Sequence, residues 1–283
     1  MSLLKLPEIR ADMSLAEMNF DLRPDAIESW EPELQAAASD ASTSISIYGP
    51  IGATMDGTGV TARSIAAALR NIGAKAVTVN VNSPGGNYFE GVAIYNLLRQ
   101  HEGEVTFNVL GMAASAASLA VMAGDKILMG QGARIMIHNA WGVAVGNRHD
   151  MLAAAAQMAP LDADMAKAYA TRSGMPAERI AALMDAETWL SADDAIAQGF
   201  ATGHLPDGKV AHDRPTGGNR KALAMVESAM ARAGYSRSSR REAFKSLFSG
   251  MPSAADTAAT PSAGADIAAL LQTTLNTLRG TNA

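Results

Sequence analysis

Residues 108–129 read NVLGMAASAASLAVMAGDKILM, and the rest of the chain is organised around this stretch. A strand-like run that ends near Gly111 meets a block of Ala, Ser and Gly, whose small side chains let a strand turn sharply into a closely packed helix. Ser115 is expected in the first turn of that helix, where free backbone N–H groups and the positive dipole end favour a developing anion. The same pattern is typical of a buried Ala/Ser-rich helix in which Ser115 only packs, and the G-x-S-x-G nucleophile elbow is absent.

Composition excludes several classes of protein. Of the 283 residues, 48% are hydrophobic and 18% are charged, a balance that allows a chain of this length to bury a core. A net charge of -5 argues against a general nucleic-acid-binding protein. The absence of cysteine removes disulfides, thiolate zinc sites and a cysteine nucleophile. We therefore expect neither a metal site nor a nucleic-acid partner.

No membrane segment or secretion signal is predicted. The window 105–124 carries no charge and is long enough to span a bilayer, but most of its residues are Ala, Gly, Ser, Thr and Asn, which partition weakly into lipid. A buried strand and helix explain it better. Near the N-terminus, Pro7 and Glu8 come too early for the apolar core of a signal peptide. The sequence therefore predicts a soluble protein without a membrane partner.

Strand-like and helical segments alternate along the middle of the chain. Ser44–Tyr48 (SISIY) alternates apolar and polar residues, and 76–82 (AVTVNVN) places three valines on one face. This alternation predicts an α/β layered fold. Further strands are expected at 105–110, 126–129 and 134–138, and helices at 61–71, 88–100, 147–172, 176–183 and 189–199. The glycine run 49–59 ends in no Lys-Ser/Thr pair, so it is not a nucleotide-binding P-loop.

The chain divides into three parts. Residues 1–42 form an N-terminal arm, in which Trp30 is expected to hold the arm on the body, with a solvent-facing or subunit-bridging role as the alternative. Residues 43–205 form the main domain. Residues 206–283 form a C-terminal extension with a low-complexity patch at 252–264 and an amphipathic segment at 267–278. We expect this extension to be a flexible tail that proteases cut readily, and its basic residues to be solvated or to contact an anionic partner.

A serine nucleophile needs a base within hydrogen-bond reach. Of the five histidines, His138 ends the apolar strand RIMIH at the edge of a loop, where active-site residues commonly project. The alternative is an ordinary strand-end histidine whose ring is satisfied by nearby groups. Four others stand in polar, loop-like or tail contexts and are interpreted as surface residues: His101, His149, His204 and His212.

The same chemistry needs an acid that orients the base and donors for an oxyanion. Four acids surround Leu190: Asp185, Glu187, Asp193 and Asp194. The last two suit the first turn of a helix, whereas Glu187 precedes an apolar Trp-Leu pair and could point inward. Donors are indicated by the turn 83–86 (SPGG), whose glycines let the backbone approach a ligand closely. A simple tight turn is the alternative.

Taken in order, four motifs resemble those of ClpP-type serine proteases. They are NSPGG at 82–86, GMAAS at 111–115, RIMIH at 134–138 and WLSA at 189–192, and the resemblance covers roughly residues 44 to 201. Within that family, three features are most similar to the ClpP-related head maturation (prohead) proteases of tailed phages and prophages. These are NAW at 139–141, ETW at 187–189 and the long extension.

The resemblance implies a role for each matching residue. Ser115 matches the nucleophile, His138 the general base, and the backbone N–H groups of Gly86 and Ala116 the oxyanion hole. The third member is usually aspartate, and Glu187 stands in its place, so the geometry must differ because glutamate is longer. Asp185 is the alternative acid. Family members that stack two rings often carry an arginine just before the acid, where this chain has Ala186.

The resemblance also implies architecture and function. The fold would be a ββα spiral shared with the crotonase superfamily, in a ring-shaped homo-oligomer, with the helix 147–172 as a projecting handle between rings. No cofactor is implied. We expect a cytoplasmic endopeptidase that trims scaffold or capsid proteins, and its own tail, within a procapsid. The alternatives are a housekeeping protease served by an ATPase, a crotonase-like enzyme acting on a coenzyme A thioester, and an assembly protein without catalysis.

Overall fold

The structure is a computed structural model, and it describes residues 22–36, 42–144, 146–207, 210–212 and 220–248. The chain forms two compact units, Met1–Phe244 and Lys245–Ala283. In the second unit only residues 245–248 are described. The low-complexity patch 252–264 and the amphipathic segment 267–278 therefore lie outside the described residues, as does the flexibility predicted for them.

A mostly parallel seven-stranded sheet forms the centre of the first unit. Its strands follow the order β2-β3-β4-β5-β8, and β6 and β7 branch from β4. The first part of β4 pairs with β5 (Val109 opposite Met129), and its last residues pair with β6 (Ala113 opposite Ile135). β7 is antiparallel to β6, whereas the other pairs in this sheet are parallel. β1 and β9 form a separate antiparallel pair. The strands are β1 Leu34–Ala36, β2 Ser44–Tyr48, β3 Val77–Ser83, β4 Val105–Ala114, β5 Lys126–Met129, β6 Arg134–Ile137, β7 Thr188–Ser191, β8 Gly203–His204 and β9 Val210–His212.

Helices connect the parallel strands, as the alternating sequence pattern predicts. Thr61 caps α2 in a reciprocal capping box with Ser64, and Gly73 ends this helix with a positive φ. The α/β fold class is confirmed. The described helices are α1 Pro24–Ser29, α2 Ala62–Ile72, α3 Tyr88–Arg99, α4 Ala116–Val121, α5 Arg148–Ser173, α6 Ala177–Asp185, α7 Ala192–Ala197, α8 Arg220–Arg232 and α9 Arg237–Phe248.

Two apolar clusters hold these layers together. The main core lies between the sheet and its helices, and every residue of α4 is buried there. The second cluster packs the arm, through residues such as Ile27 and Trp30, onto Met112 and Met136 of β4 and β6. Trp30 is buried, and its indole N–H donates to the Asn82 carbonyl over 3.1 Å. The prediction that Trp30 holds the arm on the body is confirmed.

The long helix α5 has two different halves. Its last turns are buried at Leu161, Met165 and Tyr169, whereas Met151 and Leu152 near its start are exposed. Asn147 caps the helix in a reciprocal capping box with Asp150, and Gly174 ends it in the left-handed region. The predicted helix is confirmed, and its first half leaves apolar side chains in contact with solvent.

Three local predictions were wrong. β4 continues to Ala114 instead of ending near Leu110, because its last residues pair with β6. Trp189 belongs to β7 and not to a helix, because it pairs with Met136, and α7 begins only after the cap Ser191. His101 is buried and not on the surface, and its ring Nε2 lies 2.7 Å from the Lys75 carbonyl oxygen.

The extension contributes a helix to the first unit. α8 contacts α1, and the Ser228 hydroxyl donates to the Leu22 carbonyl over 3.0 Å. Glu227 of the same helix is buried and accepts from the Met55 backbone N–H. The division of the chain at residues 42 and 205 stays a prediction. Within the described residues, the arm and α8 pack on the body as parts of one unit.

Candidate active site

Ser115 stands at the joint between β4 and α4. As the residue that precedes the helix, it has φ 55 and ψ −125, a backbone conformation that is uncommon for residues other than glycine. Its N–H donates to the Met136 carbonyl and its own carbonyl accepts from the Ser118 hydroxyl, so the strained backbone is held from both sides. The sequence predicted Ser115 inside the first helical turn. The structure instead places it just before that turn, in a sharp strand-to-helix corner.

His138 lies directly after β6 and faces Ser115. The distance between His138 Nε2 and Ser115 Oγ is 2.7 Å, a good hydrogen bond. The two residues come together because Ala114 of β4 pairs with Met136 of β6, so that both strands end at the same edge of the sheet. The imidazole is 5% exposed. The structure thus brings the hydroxyl of a partly buried serine within hydrogen-bond reach of a buried imidazole.

Two backbone amides lie beside this pair. Gly86 and Ala116 line the same small recess as Ser115 and His138. In the described parts of the chain, no hydrogen bond uses the N–H of either residue. Ala116 is the first residue of α4, so its N–H has no partner within the helix. These two groups are available as donors to an anion.

The glycine turn fits closely against the serine. A Cβ added to Gly85 would lie 2.7 Å from the Ser115 Cβ and 2.5 Å from the Ala114 carbonyl oxygen. Gly85 also has φ +89, which side-chain-bearing residues rarely adopt. The Ile51 N–H donates to the Gly85 carbonyl, and the Ile51 carbonyl accepts from Asn87, so this turn is fixed to the preceding loop.

Neither candidate acid reaches the imidazole. The Glu187 carboxylate binds Arg23 of the arm through both oxygens, at 2.6 and 2.7 Å. Its side chain is 51% exposed, and its backbone has φ 50. Asp185 instead accepts from the Asn139 side-chain amide over 2.7 Å. Within the described residues, no carboxylate hydrogen-bonds His138, so Glu187 does not point inward as its apolar neighbours indicated.

Burial and charge act on His138 in opposite directions. Burial lowers the pKa of His138, the positive charge of Arg23 lowers it further, and Glu187 and Asp25 raise it, with a net value of about 4. The pKa of Glu187 is lowered, mainly by its hydrogen bonds to Arg23. The imidazole is therefore neutral at pH 7 and able to accept the serine proton. Forming the imidazolium is made more costly by Arg23.

Apolar groups surround the recess beside Ser115. Its wall includes Tyr88, Trp141 and Met165, the last from α5. The Asp162 carboxylate, also on α5, accepts from the Ala140 N–H over 2.5 Å and so holds the loop after His138 against the helix. Burial raises the pKa of Asp162. A larger cavity of about 720 Å³, lined in part by Leu34, lies under the arm and contains none of the candidate site residues.

Sequence reasoning missed two residues at this site. Arg23 follows a stretch of mixed polarity and lies 164 positions from Glu187, so no local pattern connects them. Asp162 is one acid among several on a helix, and only its contact with Ala140 distinguishes it. The described residues contain no cluster of three or more His, Asp or Glu side chains that could hold a metal ion. No helix in the described ranges is both long and apolar enough to cross a membrane.

Fold and site together define an α/β protein with a hydroxyl–imidazole pair beside two backbone amides that bind no other group in the described ranges. Residues 39–203, more than half of the chain, match the family model described as Clp protease. The chain therefore belongs to the Clp protease family. It is 34% identical over 128 residues to an ATP-dependent Clp protease proteolytic subunit of Pleurastrum terricola. That match covers 44% of this chain and 65% of the relative.

Two further comparisons agree with this assignment. The chain is 33% identical over 128 residues to ATP-dependent Clp protease proteolytic subunit 1 of Mycobacterium leprae, covering 44% of this chain and 64% of that protein. The fold is similar to that of a ClpP1 point mutant from Listeria monocytogenes, with a TM-score of 0.51 and 21% identity. That alignment covers 59% of this chain and 93% of the other. The matches span less than two thirds of the length of these curated relatives.

Proposed function

We propose that this chain is a serine endopeptidase in which Ser115 attacks the peptide carbonyl and His138 is the general base. The observation that carries the proposal is the 2.7 Å contact between His138 Nε2 and Ser115 Oγ, beside the unused N–H groups of Gly86 and Ala116. A buried serine that served only packing would not need a neutral imidazole on its hydroxyl. Membership in the Clp protease family supports the same reaction class.

The mechanism follows from these positions. His138 Nε2 takes the Ser115 proton as Oγ attacks the carbonyl carbon, and the new oxyanion accepts from Gly86 and Ala116. The imidazolium then gives its proton to the leaving amine, which breaks the peptide bond and leaves an acyl ester on Ser115. Water, deprotonated by His138, releases the acid product. Loss of one oxyanion donor typically lowers the rate by about 10²–10³.

Glu187 is the proposed acid, with Asp185 as the alternative. Glu187 stands at the position that the family resemblance assigns to the acid, and Asp185 lies two residues before it. Glu187 also acts electrostatically on the pKa of His138, whereas Asp185 is bound to the Asn139 side chain. A carboxylate near the imidazole stabilises the cation that forms during attack. Glu187 therefore fits the role better, provided that its side chain can leave Arg23.

Ring assembly is part of the proposal. The exposed Met151 and Leu152 at the start of α5 are apolar side chains that a second copy of the chain could cover. Ala186 stands where family members with stacked rings often carry an arginine, so the proposal does not include ring stacking through that ion pair. Sedimentation of the intact protein tests it: a monomer at micromolar concentration contradicts ring assembly.

The proposed substrate is a scaffold or capsid protein. The residues at 139–141 and 187–189 and the extension support a head maturation protease that cleaves scaffold or capsid proteins and its own tail. The curated relatives carry the words ATP-dependent in their names, which supports the alternative of a degradation protease served by an ATPase. Cleavage of a co-expressed capsid or scaffold protein without ATP favours the first. Cleavage only with an ATPase partner favours the second.

Two other classes make different predictions. A crotonase-like enzyme would turn over a coenzyme A thioester, and Ser115→Ala would leave that turnover unchanged. An assembly protein without catalysis would show neither activity. Proteolysis that depends on Ser115 contradicts both of these alternatives.

Labelling with a fluorophosphonate probe tests the proposed nucleophile. We expect the assembled wild-type protein to be labelled at Ser115, Ser115→Ala to be unlabelled, and Ser118→Ala to keep labelling. Ser118 is the control because it lies three residues further along, on α4, and its hydroxyl contacts Tyr169 and the Ser115 carbonyl and not His138. Mass spectrometry of products from wild type and Ser115→Ala, co-expressed with neighbouring gene products, would identify cleavage sites. No labelling of Ser115 would remove the main support for the proposal.

A further inference from the structure

Arg23 and Glu187 form a bidentate ion pair between the arm and the active site. Arg23 Nη1 and Nη2 donate to the two carboxylate oxygens at 2.6 and 2.7 Å. The arginine side chain is 12% exposed and the glutamate side chain 51% exposed, so the pair lies at the rim of the site. Parallel N–H···O bonds of this kind fix the orientation of a carboxylate as well as its position.

The position of Arg23 is itself determined by the rest of the arm. α1 begins at the next residue, and the Ile27 N–H donates to the Arg23 carbonyl. Asp25 binds the Arg23 Nε at 2.9 Å. At the other end of α1, Trp30 is bound to the Asn82 carbonyl. The guanidinium is therefore presented to Glu187 by a folded segment that is packed on β4 and β6.

This ion pair acts against the proposed reaction in two ways. Among the described residues it leaves His138 with no carboxylate partner, because both Glu187 oxygens face Arg23. It also keeps a positive charge near an imidazole that must become a cation as Ser115 attacks. The segment that carries Arg23 lies before residue 39, where the match to the Clp protease family begins. Arg23 thus lies outside the segment that matches the family model, whereas Glu187 lies within it.

We infer that Arg23 is a positioning residue that restrains the active site by holding the Glu187 carboxylate away from His138. The site becomes fully competent when α1 moves and releases Glu187. The inference rests on the proposed function, because it assigns a control to the same Ser115 and His138 pair. Glu187 has the left-handed φ of 50, so a change in its backbone would relieve strain and redirect its side chain.

The test compares the rate of fluorophosphonate labelling of Ser115 in intact protein. We expect Arg23→Gln to be labelled about two- to fivefold faster than wild type, the range for loss of one partly exposed ion pair. Arg63→Gln is the matched control, an exposed arginine on α2, and should keep the wild-type rate. Arg23→Lys, which retains the charge but not the two-pronged contact, should fall between wild type and Arg23→Gln.

Two further measurements separate this role from a purely structural one. The charged groups that act on His138 are Arg23, Glu187 and Asp25, so removing only Arg23 should move the acidic limb of labelling to higher pH. In a Glu187→Gln background at pH 8, the change Arg23→Gln should alter the labelling rate by less than about twofold, because the carboxylate that Arg23 binds is no longer present. If Arg23 had only a structural role, its removal would not shift the acidic limb. Its effect on the labelling rate would then also be the same with and without the Glu187 carboxylate.

The outcomes distinguish the inference from the function on which it rests. If wild type is labelled at Ser115 and Arg23→Gln is labelled at the same rate or more slowly, the inference is wrong and the proposed function stands. Acceleration that persists unchanged in the Glu187→Gln background also overturns it. If no variant is labelled at Ser115, both the proposed function and the inference fail.

Discussion

At the scale of single residues, Ser115 shows how strain and chemistry are combined. Its backbone lies in a sparsely populated region, and conformations of this kind cost on the order of 1–3 kcal/mol. Gly85 makes the corner possible because a side chain there would overlap the Ala114 carbonyl. The conformation directs Oγ towards His138 and leaves the Ala116 N–H free on the same side. The cost of the corner is offset by the buried helix that follows it.

The burial of His138 predicts a pH-dependent stability. Its pKa falls from 6.5 in the unfolded chain to about 4 in the folded protein, so the unfolded state binds the proton more readily between these values. The resulting contribution to the free energy of unfolding, up to about 3 kcal/mol, is fully present above pH 6.5 and is lost as the pH falls towards 4. Urea unfolding at pH 4 and pH 7 should show a smaller pH dependence for His138→Gln than for wild type. An equal dependence in both proteins would contradict the assigned burial effect.

The acid of the site can be identified by a pair of isosteric changes. We expect Glu187→Gln to lower the peptidase rate by at least about tenfold, because a neutral amide cannot stabilise the imidazolium. Asp185→Asn should have a mild effect, since Asp185 accepts from the Asn139 side chain and not from His138. Steady-state rates on one peptide measure both. The reverse order of effects would reassign the acid to Asp185.

At the scale of elements, α8 supports the loop that packs against the glycine turn 83–86. Glu227 accepts from the Met55 N–H at 3.1 Å and lies 3.9 Å from the buried Arg240 guanidinium. Ile51, earlier in the same loop, bonds to the Gly85 carbonyl. The helix therefore contacts the active-site turn through one intervening segment, although the family match ends at residue 203.

Neutralising Glu227 should therefore destabilise the protein. We expect Glu227→Gln to lower the free energy of unfolding by about 1–3 kcal/mol, because the buried carboxylate that accepts from the Met55 N–H and lies beside Arg240 becomes a neutral amide. Urea denaturation measures this loss. The control is Glu178→Gln, an exposed glutamate on α6, which should change stability by less than about 0.5 kcal/mol. Equal stability of the two variants would show that the buried contact contributes nothing.

At the scale of the whole molecule, the arm and α8 enclose one face of the α/β body. Ala224 of α8 belongs to the same apolar cluster as Leu22, Ile27 and Trp30 of the arm. Removing α8 would expose that cluster and leave the Ser228 contact with Leu22 unmade. The two ends of the first unit are therefore coupled energetically, and through Arg23 they are coupled to the active site.

A pair of truncations tests this coupling. We expect a chain that ends after residue 219 to melt roughly 5–10 °C below the full chain, because it loses the burial that α8 provides. A chain that ends after residue 248 keeps α8 and α9 and should melt close to the full chain. Thermal unfolding followed by circular dichroism measures both. An unchanged melting temperature after removal of α8 would favour the predicted domain boundary near residue 205.

Much of the fold could be predicted because its signals are local. The alternation in SISIY, the valines of β3 and the caps Thr61 and Gly73 each depend on neighbouring residues, and the structure confirms these elements. The extended end of β4 and the strand at Trp189 could not be predicted this way. Both depend on pairing with β6, which lies 20 or more positions away in the chain.

The sequence by itself determined the α/β class and the glycine turn, because side-chain size and hydrophobic period act over a few residues. The resemblance of its four ordered motifs to those of a known family identified Ser115 and His138 as candidates. Only the tertiary structure decided what each polar group binds. It brought Ser115 and His138 to 2.7 Å, gave Glu187 to Arg23 and buried His101. Ser115 and His138 are 23 positions apart in the chain, and Arg23 and Glu187 are 164 positions apart. Such separations carry no periodic signal. The partner of each polar group is decided by tertiary packing, because each contact forms only when elements that are distant in sequence pack against one another.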